Sequence, residues 1–568
     1  MHIRDSCDKL NKTEEGGGEE EKVEQLFLIA GLIIAILAGG FYSSHMNRKK
    51  IYYMLLKQFG TKPEYKEYNF DEIKIFWKER KSKDCRGHID DITWNDLSMD
   101  KVFARINTCC SSVGDQYLYR SLRNLCYEDS RLEALENKII FVTDHQNARI
   151  DIQKKLLHIG KRENNYYIPL FLNGLDNFKL SKIWIYYLLQ LLLFLAIVMS
   201  IFLRHTYAYA FMGIIFLVNI NIYALMKGKY EINMDLMIAV QSILKISGEF
   251  AGEKDAAVFG GFRENQEVVR KLTKSLKFIN GRYRRKYSAD FMEVSATYIT
   301  GAFLFDFVMY NRILTMLEKH LTVINQVFEL LGELDMAVSA ASFRRSIPMY
   351  CVPEFGEGCG ISYKEMYNPL LEEPVYNDFS LNDSCIVTGS NASGKSTFIK
   401  AVAVNEILAM SIHTCAAKTA RIAKAEVYTS MAIRDDLMAG ESYFIREVRS
   451  LQRIVEVIDR GKLVIAVIDE ILRGTNSQER IAASAAILKY LERKNCIVIV
   501  ASHDVELIDL LDSDHYANYY FCEKAKNEEI VFDYKLHQGI CEQRNAIKLL
   551  DHFGFPESVV EAANRYLI

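Results

Sequence analysis

Three apolar blocks interrupt an otherwise mixed pattern of hydrophobic and polar positions. Leu26 to Tyr42 is wholly apolar or small (LFLIAGLIIAILAGGFY), Ile183 to Leu203 runs without a charge, and Tyr207 to Met226 is uncharged, with Asn219 and Asn221 its strongly polar members. A helix needs about 17–25 such residues to cross a bilayer, so the first block sits near the lower limit and the other two are long enough. Only Arg204, His205 and Thr206 separate the second block from the third, which predicts a tight helical hairpin. Lys179 and Lys182 precede the hairpin, Lys227 and Lys229 follow it, and Arg48-Lys49-Lys50 follows the first block. Basic residues stay on the cytoplasmic side, so this pattern predicts three spans, an external N-terminus and a cytoplasmic remainder in an inner (cytoplasmic) membrane. Trp184, Tyr186, Tyr187, Tyr207, Tyr209 and Tyr223 supply interfacial rings, and lipid becomes an expected partner. In the first block the positive charge follows the apolar core, the reverse of a cleaved signal peptide. An uncleaved anchor is the reading preferred there; a buried core helix is its alternative.

Between the blocks the periodicity is helical. Met99 to Leu125 predicts an amphipathic helix pair broken near Ser111-Ser112-Val113-Gly114. From about Glu231 to Ala341 the helical pattern continues, and Ile313, Leu317, Leu321, Ile324, Phe328, Leu331, Leu334 and Val338 form one apolar face. From about Tyr350 the pattern changes to short apolar runs between helical stretches, which predicts an α/β domain. The chain thus divides into a tail (1–25), a first span (26–44), a helical cytosolic region (45–182), the hairpin (183–226), a second helical region (227–345) and the α/β domain (346–568).

Composition adds little to this outline. The 568 residues are 50% hydrophobic and 25% charged with net charge −3, so no global basic field advertises a nucleic-acid partner. The first 25 residues, with eight acidic and four basic side chains, predict a disordered acidic tail. The twelve cysteines show no paired C-x-x-C spacing, which fits free thiols in a reducing compartment; Cys351 and Cys359 are a weak candidate metal pair. Locally, Val268 to Ala289 holds eight Lys or Arg, including Arg282, Arg284, Arg285 and Lys286, and no carboxylate. Such a patch suits DNA phosphates, anionic lipid headgroups or plain solvent.

Candidate chemistry concentrates in the α/β domain. Gly389-Ser390-Asn391-Ala392-Ser393-Gly394-Lys395-Ser396-Thr397 fits G-x-x-x-x-G-K-[ST], between an apolar run (Ser384–Thr388) and a helical one (Phe398–Val404). There, backbone N–H groups and a helix N-terminus converge on a polyphosphate. Lys395 is expected at the β/γ-phosphates and Ser396 on Mg²⁺, with Gly389, Asn391, Gly394 and Thr397 completing the loop. ATP and Mg²⁺ are the cofactors this implies. A second apolar run, Leu463 to Ile468, ends in Asp469-Glu470. Asp469 is assigned to Mg²⁺, mainly through water, and Glu470 to activating the attacking water. A third, Cys496 to Ala501, ends in Ser502-His503-Asp504, where His503 is placed to sense or orient the γ-phosphate.

The order GSNASGKST, AGESYFIREV, VIDEILRGTNSQER and ASHDVEL resembles the MutS family, a branch of the ABC-type ATPases. Asp469-Glu470-Ile471-Leu472-Arg473-Gly474-Thr475-Asn476 carries most of the likeness. Arg544 to Ile547 with Gly554 to Val560 is similar to the family's closing helical segment, and Leu334 to Ser339 and residues 94–125 to its helical core. The resemblance implies an ABC-type ATPase domain with C-terminal dimerisation helices. It also implies a homodimer with ATP sandwiched between two copies. Ser442, in Gly440-Glu441-Ser442-Tyr443-Phe444, would reach the γ-phosphate bound by the partner's Lys395, with Arg473 and Thr475 near the opposing subunit. A plain helix N-cap is the other reading of Ser442. Ser390 replaces the family's usual proline, Tyr443 its usual threonine, and the anchor occupies the place of the mismatch-reading and connector domains.

Two functions follow as expectations. One is a membrane-tethered, ATP-gated DNA-binding clamp of MutS type, related to mismatch repair. The other is a membrane-associated ATPase switch that acts on a membrane partner without nucleic acid. A transporter fits less well, since the three spans lack intramembrane charges.

Overall fold

The protein is described by a computed structural model covering residues 28, 31–32, 38–64, 66–80, 87–285, 301–356, 358, 360–390, 393–431, 443–511, 515–526, 529–540 and 554–566. It divides into two compact units, Met1–Phe59 and Gly60–Ile568. The first contains a helix at 38–58. The predicted tail and about half of the predicted first span lie outside the described residues.

In the second unit the predicted helix pair is present as Met99–Ile106 and Ser112–Arg123, and the Ser111 hydroxyl caps the second by accepting from Gly114 N at 3.1 Å. The long helix Leu321–Ser346 crosses it. Its buried Asp335 accepts from Cys110 N at 2.9 Å, Ser111 N at 2.9 Å and the Ser111 hydroxyl at 2.6 Å. A Cβ on Gly114 would lie 2.3 Å from Asp335 Oδ2, so only glycine admits this crossing.

The hairpin is built as its pattern predicts. Ile183–Leu203 ends at Arg204 in the left-handed region (φ 47°), and a single 45-residue helix, Thr206–Phe250, returns. At 1.5 Å per residue this second helix is about 67 Å long. Its first half is apolar and outward-facing, whereas Leu236, Val240, Ile243 and Leu244 are buried among the other helices. Both arms are long and apolar enough to cross a membrane. Phe202 and Leu225 are each 82% exposed and Tyr207 is 80% exposed, an apolar surface that water does not favour. The arms also pack on later chain. Leu193, Ala196 and Ile215 cluster with Ala302, whose carbonyl accepts from the buried Asn219 Nδ2 at 2.7 Å. The Phe307 ring lies 5.7 Å from that of Tyr186 and 5.6 Å from that of Tyr223.

The apolar face predicted over Ile313 to Val338 as one run belongs to two helices, Phe305–Lys319 and Leu321–Ser346, broken at His320. The spacing carries across the break because both helices bury the same stripe, so periodicity alone does not register the corner.

Residues 354–422 supply a small sheet in the order β1 (Glu354–Phe355), β5 (Thr419–Ile422), β2 (Ile361–Met366), β3 (Asn377–Leu381). The main sheet is ordered β12 (His537–Gln538), β9 (Tyr516–Tyr520), β4 (Ser384–Thr388), β8 (Cys496–Ser502), β7 (Val464–Asp469), β6 (Glu426–Ser430). All neighbours are parallel except the β12–β9 pair. β4, β7 and β8 are buried along their whole length, as expected for strands covered on both faces. A two-stranded ribbon, β10 (Glu523–Lys526) and β11 (Glu529–Phe532), stands off the end of β9. Parallel strands put all their C-terminal ends on one edge, and in open α/β sheets ligands bind at that edge.

Candidate functional site: a phosphate loop and three strand ends

β4, β8 and β7 are neighbours, so their C-termini bring Gly389, His503 and the Asp469-Glu470 pair together although they lie up to 114 residues apart in sequence. The loop after β4 turns through Gly389 (φ 144°) and Gly394 (φ 106°), conformations that glycine adopts without Cβ strain. Gly389 has a second constraint, since a Cβ there would meet Phe521 O at 2.7 Å. The helix Lys395–Ile412 follows, with the Ser396 and Thr397 side chains exposed toward a cavity of about 510 Å³. Met366, Tyr367, Asn377, Phe521 and Tyr534 also line it.

Lys395 Nζ donates to the carbonyls of Gly389 and Ser390, both at 2.7 Å. His503 Nδ1 lies 2.9 Å from Gly389 O, and His503 Nε2 lies 2.8 Å from Glu470 Oε1. Arg473 Nε donates to the other Glu470 oxygen. Glu470 thus carries a partner on each oxygen. Burial pushes its carboxyl up, but the hydrogen bonds and charges of His503 and Arg473 outweigh that and hold it down at about 2. Its backbone stands in the left-handed region (φ 60°), as does Leu472 (φ 55°), conformations that non-glycine residues hold at a cost and that concentrate at functional sites. Asp469 is 7% exposed, and its Oδ1 is a buried atom without a hydrogen-bond partner among the described residues. A buried carboxylate oxygen at the end of β7 and an exposed hydroxyl at the start of the loop's helix are donors that suit a divalent cation and its water shell, and Asp469 and Ser396 are the residues that would hold it.

The residues brought together are therefore Gly389, Gly394, Lys395, Ser396, Thr397, Asp469, Glu470 and His503. Asn391, Ser442 and Lys286 lie outside the described residues. Arg282, Arg284 and Arg285 fall on the last turn of the helix Gln266–Arg285, in a separate part of the fold from the phosphate loop. Arg473, expected near an opposing subunit, here engages Glu470.

Three contributions escape the sequence. Glu447, on the helix Tyr443–Ile458, accepts from Arg473 N at 3.1 Å, and burial raises its carboxyl against backbone hydrogen bonds from residues 472–474. Gly474 packs so closely on Phe444 that a Cβ would come within 3.0 Å of Phe444 Cβ. The helix after Ser442 is thereby fixed to the loop after Glu470. Arg480 forms a two-pronged pair with Asp504 at 2.6 and 2.8 Å, holding the segment after His503. A carboxylate inside an amphipathic helix carries no local mark that separates it from a solvated one, so Glu447 is legible only once the helix is docked.

Residues 385–568 match the MutS domain V family. The chain is 28% identical over 272 residues to "MutS protein homolog 4" of Homo sapiens, an alignment covering 45% of this chain and 28% of that protein. It is 27% identical over 280 residues to "DNA mismatch repair protein MutS" of Methanosarcina barkeri, covering 47% and 31% of the two chains. The protein of the same name from Thermotoga petrophila is 27% identical over 270 residues, covering 46% and 33%. The chain thus spans about a third of the length of these relatives. The phosphate loop and the strand ends that face it lie within a MutS domain V, the ATPase-containing region of the MutS family, present in this chain at residues 385–568.

Proposed function

We propose that this protein is a membrane-tethered, MutS-like ATPase that binds DNA, with mismatch-repair-related action as the closest known role. The observation that carries the reading is the convergence of the phosphate loop with Asp469, Glu470 and His503 at adjacent strand ends. Names among the relatives support the DNA part, and the outward apolar hairpin supports the tether.

In this reading Lys395 leaves the loop carbonyls for the β/γ-phosphates, and the loop amides hold the remaining phosphate oxygens. Ser396 and Asp469 hold Mg²⁺, which neutralises phosphate charge when bound. Glu470 accepts a proton from the water that attacks the γ-phosphorus as the bond to the β-phosphate oxygen breaks. A carboxylate held near 2 by its contacts with His503 and Arg473 is a weak base, so Glu470 works once Arg473 or His503 has turned away. Ser442 of a second copy approaches the γ-phosphate. Arg282, Arg284, Arg285 and Lys286 hold DNA phosphates.

The test is DNA binding by the detergent-solubilised full chain, with and without ATP, on heteroduplex, branched and plain duplexes. Binding that falls steeply with salt and is lost when the four basic residues are replaced supports the proposal. A chain that ignores DNA at low salt yet hydrolyses ATP belongs to the second reading, a switch acting on a membrane partner. The contacts of Ala302 and Phe307 with the hairpin favour that reading, because they tie the helices leading to the ATPase domain to the apolar arms.

A further inference from the structure

We infer that the base of the β10–β11 ribbon is a zinc site formed by Cys522, Asp533 and His537. Cys522 precedes β10 and Asp533 follows β11; with Glu523 paired to Phe532, the two stand at the next position down the ribbon. His537 opens β12, pairs with Tyr520 of β9, and so returns to the same point. One ligating atom from each of the three lies within 4.8 Å of the other two.

The His537–Asp533 pair has the spacing of two ligands in a coordination shell. His537 Nε2 stands 3.6 Å from Asp533 Oδ2, too far for a hydrogen bond. It is also a buried atom that finds no hydrogen-bond partner among the described residues. Tetrahedral zinc with bonds of about 2.0–2.3 Å separates its ligands by roughly 3.3–3.8 Å, so the oxygen–nitrogen pair already has the spacing of one edge. The sulfur reaches the remaining corner by moving about 1 Å, within the range of a side-chain rotation. The other Asp533 oxygen accepts from Lys535 N at 3.0 Å, and the His537 ring stacks on Tyr520 at 5.3 Å. These contacts orient two ligands from outside the cluster. One thiolate, one imidazole and one carboxylate are a donor set for zinc, with a fourth position open to water.

The site's place gives it a consequence. Phe521 and Tyr534 are the chain neighbours of Cys522 and Asp533, and both line the cavity beside the phosphate loop. A metal at the ribbon base fixes these two wall residues without touching the cavity itself.

Full-length protein is purified in detergent with reductant, stripped of metal, and titrated with Zn²⁺, and with Co²⁺ for its thiolate charge-transfer and d–d bands. One equivalent of Zn²⁺ is expected to bind and to raise the melting temperature. Cys522→Ser and His537→Gln each lose that equivalent, with affinity falling about 100-fold or more. His537→Cys, which keeps a ligand at the position, retains the ion and strengthens the Co²⁺ charge-transfer band, which separates lost coordination from lost folding. The inference is overturned if unaltered protein takes up no Zn²⁺. It is equally overturned if Cys522→Ser and His537→Gln bind as the unaltered chain does, or if His537→Cys loses the ion together with His537→Gln.

Discussion

Lys395→Ala removes the ammonium proposed to bind phosphate, and nucleotide binding and turnover are expected to disappear together. Glu470→Gln keeps the cavity and removes the proposed base, so ATP should bind while turnover falls by about 10²–10⁴. A stable two-chain species with trapped ATP in size-exclusion chromatography checks the second outcome; unchanged turnover refutes the assignment. A different carboxyl sets a pH signature. Glu406, buried within the helix of the phosphate loop, accepts from the Tyr363 hydroxyl at 2.7 Å, and burial pushes it up to about 8. Its folded value lies above its unfolded one, so its contribution is fully present below about 4.5 and is lost as pH rises through 8. Across that window stability should fall by at most about 1.4 kcal/mol per pH unit. Glu406→Gln flattens the profile, and denaturant midpoints between pH 5 and 8 measure it.

Between elements, coupling runs through few contacts. Arg344, near the end of the helix Leu321–Ser346, pairs with Glu136 through both nitrogens, at 2.7 and 2.6 Å, and donates to His413 O and the Thr414 hydroxyl. His413 ends the helix that starts at Lys395, so one guanidinium joins the helical region to the far end of the phosphate-loop helix. Burial raises the Glu136 carboxyl, but Arg344 and His413 overcome that and hold it at about 2. This contribution is present above about 4.5 and lost as pH falls toward 2, the opposite sense to Glu406. Glu136→Gln leaves the Arg344 charge buried and should cost about 3 kcal/mol in urea unfolding. Glu447→Ala breaks the tie to residues 472–474; the expected result is slower turnover at unchanged ATP affinity, since no Glu447 atom lines the cavity.

At the scale of the whole molecule, the outward apolar arms and the α/β domain belong to one chain whose long helix Thr206–Phe250 runs from the first into the helical region. A cysteine placed at His205, in the hairpin turn, should react with an impermeant thiol reagent applied outside intact cells, while one placed at Lys494 should not. Labelling of the Lys494 site from outside would place the α/β domain across the membrane and end the proposed topology.

The sequence by itself determined the local elements and named the residues on which the proposed chemistry rests. A long uncharged apolar run folds as a helix and G-x-x-x-x-G-K-S opens one, so the helical arms, the loop motif, Asp469-Glu470 and His503 were all readable from neighbours in the chain. What only the tertiary structure decided was which elements meet. The adjacency of β4, β8 and β7 sets Glu470 between His503 and Arg473, the corner at His320 splits one apolar stripe into two helices, and Glu447 becomes a support only once its helix is docked. Those outcomes depend on long-range packing, in which burial and charge pairing join residues that no spacing along the chain connects.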